Sequence, residues 1–399
     1  MSRLAAAALL AVGLALGGWG DTSGGPPPPG SPAQRATPTP TPAPPSDAEQ
    51  LRALLRARAM ALEAGDVRAY GATATGRQRG RDLAAARRAA RLRLAGVELD
   101  AGDIEVDGRR ATLRVDAPYR IRGVSGEFGG SRRVVAVRSK EGWRIRALRG
   151  ARGLAPWEVA TFAEHRTEHF VVLAPASVPV AELLPALEAG YERMGSLLRR
   201  ETLRRRYLVV VAGDAGQAQA LTTEIRGVET LAAIADATVR EEGRAQRVAA
   251  VSSLRLLVLW PRFASLDPDG RLRVITHELT HAALAGSTSG RTPAWLAEGV
   301  ALYVSGDRRT PLLPPDLGPL SRPEAISRLS GDAQARAYEA SSAAAFAIAD
   351  RFGRGRLVAL YDAFNDERLA GRPGPRLAGR ALRRELGITL RELEAQITG

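Results

Sequence analysis

Two histidines and a glutamate in the segment His277-Glu278-Leu279-Thr280-His281 have the types and spacing of a metal site. Residues four apart lie one turn apart on the same face of a helix, so both imidazoles can reach one ion. Glu278 lies at the adjoining edge, where a carboxylate can take a proton from activated water. With four histidines in 399 residues, chance predicts roughly 0.002 copies of this pattern. The spacing therefore predicts a zinc-binding helix, with two ordinary helix histidines as the alternative.

A zinc site of this kind needs a third protein ligand, and the downstream candidate is Glu298. It stands inside the apolar run Trp295-Leu296-Ala297-Glu298-Gly299-Val300-Ala301. Pro293 just before this run suits the first turn of a helix. An unpaired carboxylate in such a helix costs several kcal/mol, and a cation on the facing helix would remove that cost. The alternative is a solvated edge, or a pair with an arginine.

The segment His277–His281, followed by Trp295–Ala301, resembles the gluzincin zinc peptidases, and most closely the bacterial peptidase MA-like domains. The resemblance implies a zincin-type domain over 156–399, with a mixed sheet and active-site helices. It also implies hydrolysis of peptide bonds by a metal-activated water. Its motif assigns His277, His281 and Glu298 as zinc ligands and Glu278 as the general base.

Two further features of a zincin can be placed on the sequence. A tetrahedral oxyanion usually needs a donor beside the metal, and Tyr338, which precedes an apolar helical stretch, is a candidate to supply it. Tyr303 is a second candidate, and core packing is the alternative for both tyrosines. In zincins the strand before the active-site helix pairs with an extended substrate, which makes 254–260 a candidate. An ordinary core strand is the alternative there, and 225–246 gives no clear pattern.

Two other metal patterns fit the sequence less well. A metzincin would need glycine and histidine at the positions where Leu284 and Ser287 stand. His165 and His169 are also four apart, but they lie at a predicted loop-to-strand boundary. Extended backbone would separate them by about 13 Å. We therefore expect no second metal site at this pair.

The segment before the peptidase-like part predicts a smaller α+β domain over 46–150. Ser46 and Glu49 form a capping box that begins a helix. Alternating apolar residues at 111–115, 134–137 and 143–147 then predict antiparallel strands. This order resembles the nuclear-transport-factor-like cone fold. The segment contains no histidine, so we expect a binding or spacing module. The predicted fold class of the whole chain is therefore α+β.

The first 45 residues predict export and a tether. One arginine and 13 apolar or small residues in 1–19 are typical of a secretory signal and too short for a membrane span. The end of this segment resembles a bacterial lipoprotein signal, with Trp19 in place of the lipidated cysteine; an ordinary cleaved signal is the alternative. The Pro/Thr/Gly-rich linker 20–45 favours an extended chain.

Composition excludes several chemistries. The chain has no cysteine, which rules out disulfides, thiolate zinc sites, iron–sulfur clusters and cysteine catalysis. The formal charge is +14, but Lys140 is the single lysine and the arginines are interleaved with acids along the chain. That distribution disfavours nucleic-acid binding. Loose electrostatic attachment to an anionic cell envelope fits the charge as well as nucleic-acid binding does.

Taken together, these patterns predict a secreted or envelope-associated zinc peptidase acting on a peptide or protein substrate. The alternative is a non-catalytic, envelope-associated binding protein with a structural zinc in a zincin-like domain. The intact Glu278 favours the enzyme, because a structural site has no use for a base at that position.

Overall fold

The N-terminal part of the chain combines three helices with two antiparallel sheets. The computed structural model describes residues 45–150, 153–222, 230–243 and 246–398; the predicted signal peptide and nearly all of the predicted linker lie outside these ranges. The elements of this first part are α1 (Asp47–Glu63), α2 (Val67–Ala72), α3 (Gly76–Ala89), β1 (Leu94–Val97), β2 (Asp100–Asp107), β3 (Arg110–Asp116), β4 (Tyr119–Ile121), β5 (Ser131–Ser139) and β6 (Gly142–Arg149). The strand orders are β2-β3-β5-β6 and β1-β4.

Helix α1 begins at the predicted capping box. The Glu49 backbone N–H donates to Ser46 Oγ, and the Ser46 backbone N–H donates to Glu49 Oε2 at 2.7 Å. These bonds satisfy amides that a helix start leaves without an intrahelical acceptor. The predicted strands in this part of the chain are also confirmed, within β3, β5 and β6.

The second part of the chain is built on a mixed five-stranded sheet with helices packed on it. Its strands and preceding helices are α4 (Pro156–Val159), β7 (Phe162–Arg166), β8 (Phe170–Pro175), α5 (Leu184–Leu197), β9 (Tyr207–Ala212), α6 (Ala215–Leu221), β10 (Ala233–Glu242) and β11 (Arg247–Leu259). The helices that follow are α7 (Trp260–Ala264), α8 (Pro268–Leu284), α9 (Ala294–Ser305), α10 (Leu317–Leu320), α11 (Gly331–Phe352), α12 (Arg354–Ala363), α13 (Pro375–Leu386) and α14 (Leu390–Thr398).

The order of this sheet is β10-β11-β9-β8-β7. Strands β8, β9 and β11 run parallel, whereas the outer strands β7 and β10 are antiparallel to their neighbours. Both faces of the central strands are buried, so these strands read as continuous apolar runs rather than alternating ones. One face, with Phe170 and Val172, packs into the core that also contains Leu279 and Trp295 of α8 and α9.

The other face of the sheet packs against the N-terminal part of the chain. Val171 and Leu173 on this face share a core with Tyr119 and Leu62, and Tyr119 meets Trp157 edge-on at 4.7 Å between ring centroids. Residues Pro45–Gly399 form one compact unit. The described chain is a mixed α+β structure, as predicted, and the proposed boundary between 150 and 156 stays a prediction.

The described helices also bear on membrane association. Over the parts of the chain that the structure describes, none of the helices combines the length and the apolar character needed to cross a bilayer.

Candidate metal centre

Helix α8 brings the two histidines of the motif together. The helix begins at Pro268, and Asp267 caps it by accepting a hydrogen bond from the Gly270 N–H at 2.6 Å. His277 and His281 lie one turn apart on the same face, as the spacing predicts. Their Nε2 atoms are 3.1 Å apart, and their rings meet edge to face.

Helix α9 carries Glu298 to the same point. Its Oε2 atom lies 3.2 Å from His277 Nε2 and 3.4 Å from His281 Nε2. This oxygen is buried and makes no hydrogen bond to any described residue. Helix α9 begins after Pro293, which occupies the N-cap rather than the first turn. The predicted approach of Glu298 to the histidine pair is therefore present in the fold.

The three side chains fit a metal ion. A tetrahedral ion with bonds of about 2.0–2.1 Å holds its ligand atoms about 3.3 Å apart. The three separations here are 3.1, 3.2 and 3.4 Å. A bound cation would also satisfy the buried Glu298 oxygen, which lies near the two histidines but makes no hydrogen bond in the described part of the chain. Within the described ranges, this is the one group of three or more histidine and carboxylate side chains close enough to hold an ion.

The pKa values of Glu298 and His281 without metal also indicate that this site favours a positive charge. Burial opposes the charge of Glu298, but the positive charge of His281 and the nearby His277 hold the pKa of this carboxyl far below its usual range. Burial also opposes a charge on His281, yet the Glu298 carboxylate raises the pKa of its imidazole to about 9. Without metal, a proton on the imidazole therefore supplies the positive charge that the buried carboxylate requires.

Glu278 is fixed beside the three candidate ligands by the backbone of β10. Its Oε2 atom accepts a hydrogen bond from the Ala235 N–H at 2.7 Å. Burial raises the pKa of Glu278, and the neighbouring histidines offset only part of that rise. A carboxylate held in this way is a stronger base than one in water, which suits it to accept a proton.

Of the two candidate tyrosines, one lines the candidate site and the other packs elsewhere. Tyr338, on α11, lines the cleft together with His277 and Glu278. Burial and the charges of both glutamates raise the pKa of Tyr338, so its hydroxyl keeps its proton at neutral pH. Tyr303 instead packs edge-on against Phe346, with 5.1 Å between ring centroids. Of the two, Tyr338 is the one at the candidate site.

His165 and His169 do not form a second metal pair. His165 lies within β7, and His169 precedes β8. His169 Nδ1 is 2.6 Å from Glu188 Oε2, and its ring stacks on Tyr191. These contacts account for His169 without a metal.

Strand β10, rather than 254–260, is the edge of the sheet nearest the site. Residues 254–260 fall mainly in β11, which pairs with β9 on one side and β10 on the other. Of the two interpretations of this segment, the structure therefore agrees with the ordinary core strand and not with the substrate-pairing strand. The segment 225–246, which had no clear pattern, supplies the edge strand instead. Its polar outer half obscures the period of two, and only tertiary pairing shows the Ala233–Glu242 strand.

Two connected cavities form the cleft around these residues. One, of about 410 Å³, runs between β10 and the histidine pair, with Ala233, Ala235 and Ala237 on its wall. The other, of about 530 Å³, is lined by Arg273, Leu302 and Arg309 as well as by Glu278. Both include His277, Glu278 and Tyr338 in their lining. A chain molecule that occupied both cavities would therefore contact the candidate base and one of the candidate ligands.

Sequence reasoning missed two residues that build the site. Ala235 holds Glu278 through its backbone, so its side chain gives no signal. Gly299 lets α11 approach α9, since a Cβ there would lie 2.5 Å from the Ser341 carbonyl oxygen. A glycine inside an otherwise apolar helix was the available signal for this close contact.

Comparisons with known proteins add little to this geometry. No protein-family model matches the chain, and no curated protein matches it. One similar solved structure is a protein of unknown function from Mycobacterium tuberculosis, which is 20% identical over 26% of this chain and 70% of that one, with a TM-score of 0.22. Another is an NTF2-like protein with a cystatin-like fold from Novosphingobium aromaticivorans, 21% identical over 25% of this chain and 78% of that one, with a TM-score of 0.20. The second is loosely consistent with the resemblance of 46–150, but scores this low carry no argument.

Proposed function

We propose that this protein is a secreted zinc-dependent peptidase. The observation that carries the proposal is the triangle of His277, His281 and Glu298 ligand atoms, 3.1–3.4 Å apart, with Glu278 fixed beside it. Two imidazoles and one carboxylate at this spacing are typical of catalytic zinc, which leaves a fourth position open. The same donors also suit iron(II), so elemental analysis is part of the test.

The chain's own residues supply the acid–base chemistry. When bound, the metal contributes Lewis acidity toward a carbonyl oxygen and toward water. Glu278 has one oxygen anchored by the Ala235 N–H, which leaves Oε1 to accept a proton from the attacking water. Its buried position raises its pKa, so the same carboxyl can hold that proton and return it to the leaving amine. Tyr338 keeps its hydroxyl proton and can donate a hydrogen bond to the developing oxyanion.

Strand β10 offers a surface on which an extended peptide can lie. The Ala235 N–H points to Glu278, so this edge of β10 faces the cleft. Residues two apart in a strand present their backbone groups to the same side. Ala233 and Ala237, which also line the cleft, are therefore the residues expected to pair with substrate backbone.

The test compares the purified protein with Glu278→Gln on a mixed peptide library read by mass spectrometry. Glu192→Gln, at an exposed position on α5, is the matched control. We expect cleavage by the wild type and the control, and a loss of roughly 10²–10⁴-fold in Glu278→Gln. Elemental analysis should find about one zinc per chain in all three proteins.

Two results would contradict the proposal. A Glu278→Gln protein that keeps most of its activity would exclude this residue as the base. Bound zinc without cleavage of any peptide would favour the alternative, a binding protein with a structural zinc. That alternative is disfavoured by the three-ligand set, because structural zinc sites are closed by four protein ligands.

The secreted location is part of the proposal and rests on residues 1–19 alone. Loose association with an anionic envelope through the excess of arginine is proposed on the same footing. The mass of the mature protein recovered outside the cytoplasm tests the first, because removal of the signal shortens the chain.

A further inference from the structure

The two cavities of the cleft differ in charge. The cavity beside β10 is lined by alanines and other small or apolar residues, and its described lining contains no arginine or lysine. The second cavity is lined in part by Arg273, Asp307 and Arg309. Because the two cavities share His277, Glu278 and Tyr338 in their linings, a substrate that occupied both would meet a different charge environment in each.

Arg273 is the uncompensated charge in the second cavity. It lies on α8 four residues, or about one turn, before His277 and on the same face of the helix, which places its backbone about 6 Å along the axis from that histidine. Its side chain is exposed and makes no hydrogen bond or ion pair with any other described residue. Its neighbour on the same helix, Arg271, is by contrast paired with Glu182 at 2.8 Å.

Arg309 adds a second guanidinium to this cavity, held in a defined position. It pairs with Asp307 at 2.6 Å, and its guanidinium carbon lies 5.6 Å from the centre of the Tyr338 ring. Asp307 balances the charge of Arg309, so the positive charge of Arg273 remains. The cavity therefore presents the guanidinium of Arg273, which has no ion pair among the described residues, in the same lining as Glu278 and Tyr338.

We propose that Arg273, with Arg309 beside it, binds a carboxylate of the substrate close to the scissile bond. The inference rests on the proposed peptidase function and names its substrate class: peptides with a negative charge on that side. An extended residue spans about 3.3 Å. The distance of about 6 Å along α8 between Arg273 and His277 therefore corresponds to a substrate carboxylate one or two residues from the bond that is cleaved. That carboxylate can be the C-terminus of the peptide or an aspartate or glutamate side chain.

The experiment uses peptide pairs that differ in a single carboxylate. One pair compares a free C-terminus with its amide, and further pairs compare Asp with Asn and Glu with Gln at each position near the cleaved bond. We expect kcat/KM to be about tenfold or more higher for the acidic member of one pair, as for an arginine–carboxylate hydrogen bond. Which pair responds identifies the source of the carboxylate.

Variants assign the preference to its residue. Arg273→Gln should remove the preference, and Arg273→Lys should restore part of it, since charge is kept while the bidentate geometry is lost. Arg336→Gln is the matched control, because this exposed arginine of α11 lines a different groove. An acidic preference that survives Arg273→Gln, or equal cleavage of both members of every pair, would overturn the inference while leaving the peptidase proposal intact.

A binding measurement separates this inference from the proposed function. The zinc-loaded Glu278→Gln protein is titrated with fluorescently labelled members of the same pairs, so that no hydrolysis is required. Tighter binding of the acidic member, lost in the Arg273→Gln/Glu278→Gln protein, supports the carboxylate site even if no peptide is cleaved by the wild type. Equal binding of both members contradicts it.

Discussion

Replacing Gly299 by alanine tests how closely two helices must pack to hold the candidate metal centre. Gly299 follows Glu298 on α9 and faces α11. A Cβ built there lies 2.5 Å from the Ser341 carbonyl oxygen and 3.0 Å from Ala345 Cβ. To reach the 3.0–3.4 Å of the tightest real contacts, the helices must separate by roughly 0.5–0.9 Å. The first obstacle is backbone, which cannot rotate away.

The expected magnitude combines two opposing effects. Alanine in place of glycine inside a helix gains about 1 kcal/mol. Overpacking costs about 1–3 kcal/mol, and a clash with backbone belongs at the upper end. We therefore expect the free energy of unfolding to fall by about 1–2 kcal/mol. Because Glu298 moves with its neighbour, we also expect zinc affinity to fall roughly 10–100-fold, as for other residues that orient ligands.

Urea denaturation and zinc titration measure the two effects. The matched control is Gly80→Ala, at an exposed glycine inside α3 with no atom within 4 Å of its added Cβ. That substitution should raise stability by up to about 1 kcal/mol and leave zinc affinity unchanged. If Gly299→Ala is as stable as Gly80→Ala and binds zinc normally, the argument from close helix packing is refuted.

Three further predictions follow from buried charges and from the metal. Arg58→Met should lower the free energy of unfolding, measured by urea denaturation, by about 3–5 kcal/mol. Arg58 and Asp82 form an ion pair whose side chains are only 2% and 3% exposed, so the substitution leaves a buried carboxylate without its cation. A cost below 1 kcal/mol would contradict this reading. Burial raises the pKa of Asp362 above its ordinary 3.8, so its charged form lowers stability at neutral pH. Asp362→Asn should therefore raise the unfolding free energy at pH 7. The gain should shrink as the pH falls through the folded-state pKa of Asp362 toward 3.8. A gain that does not depend on pH would exclude the buried charge of Asp362 as its cause. Removing metal with a chelator should lower the urea midpoint, and zinc at 100 times its Kd should restore about 2.7 kcal/mol; an unchanged midpoint would mean that no ion binds the native site.

The sequence was informative where local chemistry decides the structure. The capping box at Ser46 predicted the start of α1, since it depends on residues three apart. The four-residue spacing of His277 and His281 predicted a shared helix face for the same reason. Glu298 was found because a carboxylate inside an apolar helix is costly and requires a partner.

The sequence was uninformative where a residue acts through its backbone or through a distant neighbour. Strand β10 is polar along its outer half, and its identity as the edge depends on pairing with β11. The sequence could not decide whether 254–260 is a substrate-pairing strand or a core strand, because strand order is a property of the whole sheet. Arg273 is one of many arginines, and its position in the cleft follows only from the packing around α8.

By itself, then, the sequence determined the candidate ligands, the candidate base and the helices that carry them, because residue type and helical period are local properties. The tertiary structure decided the 3.1–3.4 Å triangle, the anchoring of Glu278 by Ala235, the presence of Tyr338 rather than Tyr303 in the cleft, and the charge difference between its two sides. Those distances join residues far apart in the chain, and only the packing of α8, α9, α11 and β10 against one another fixes them.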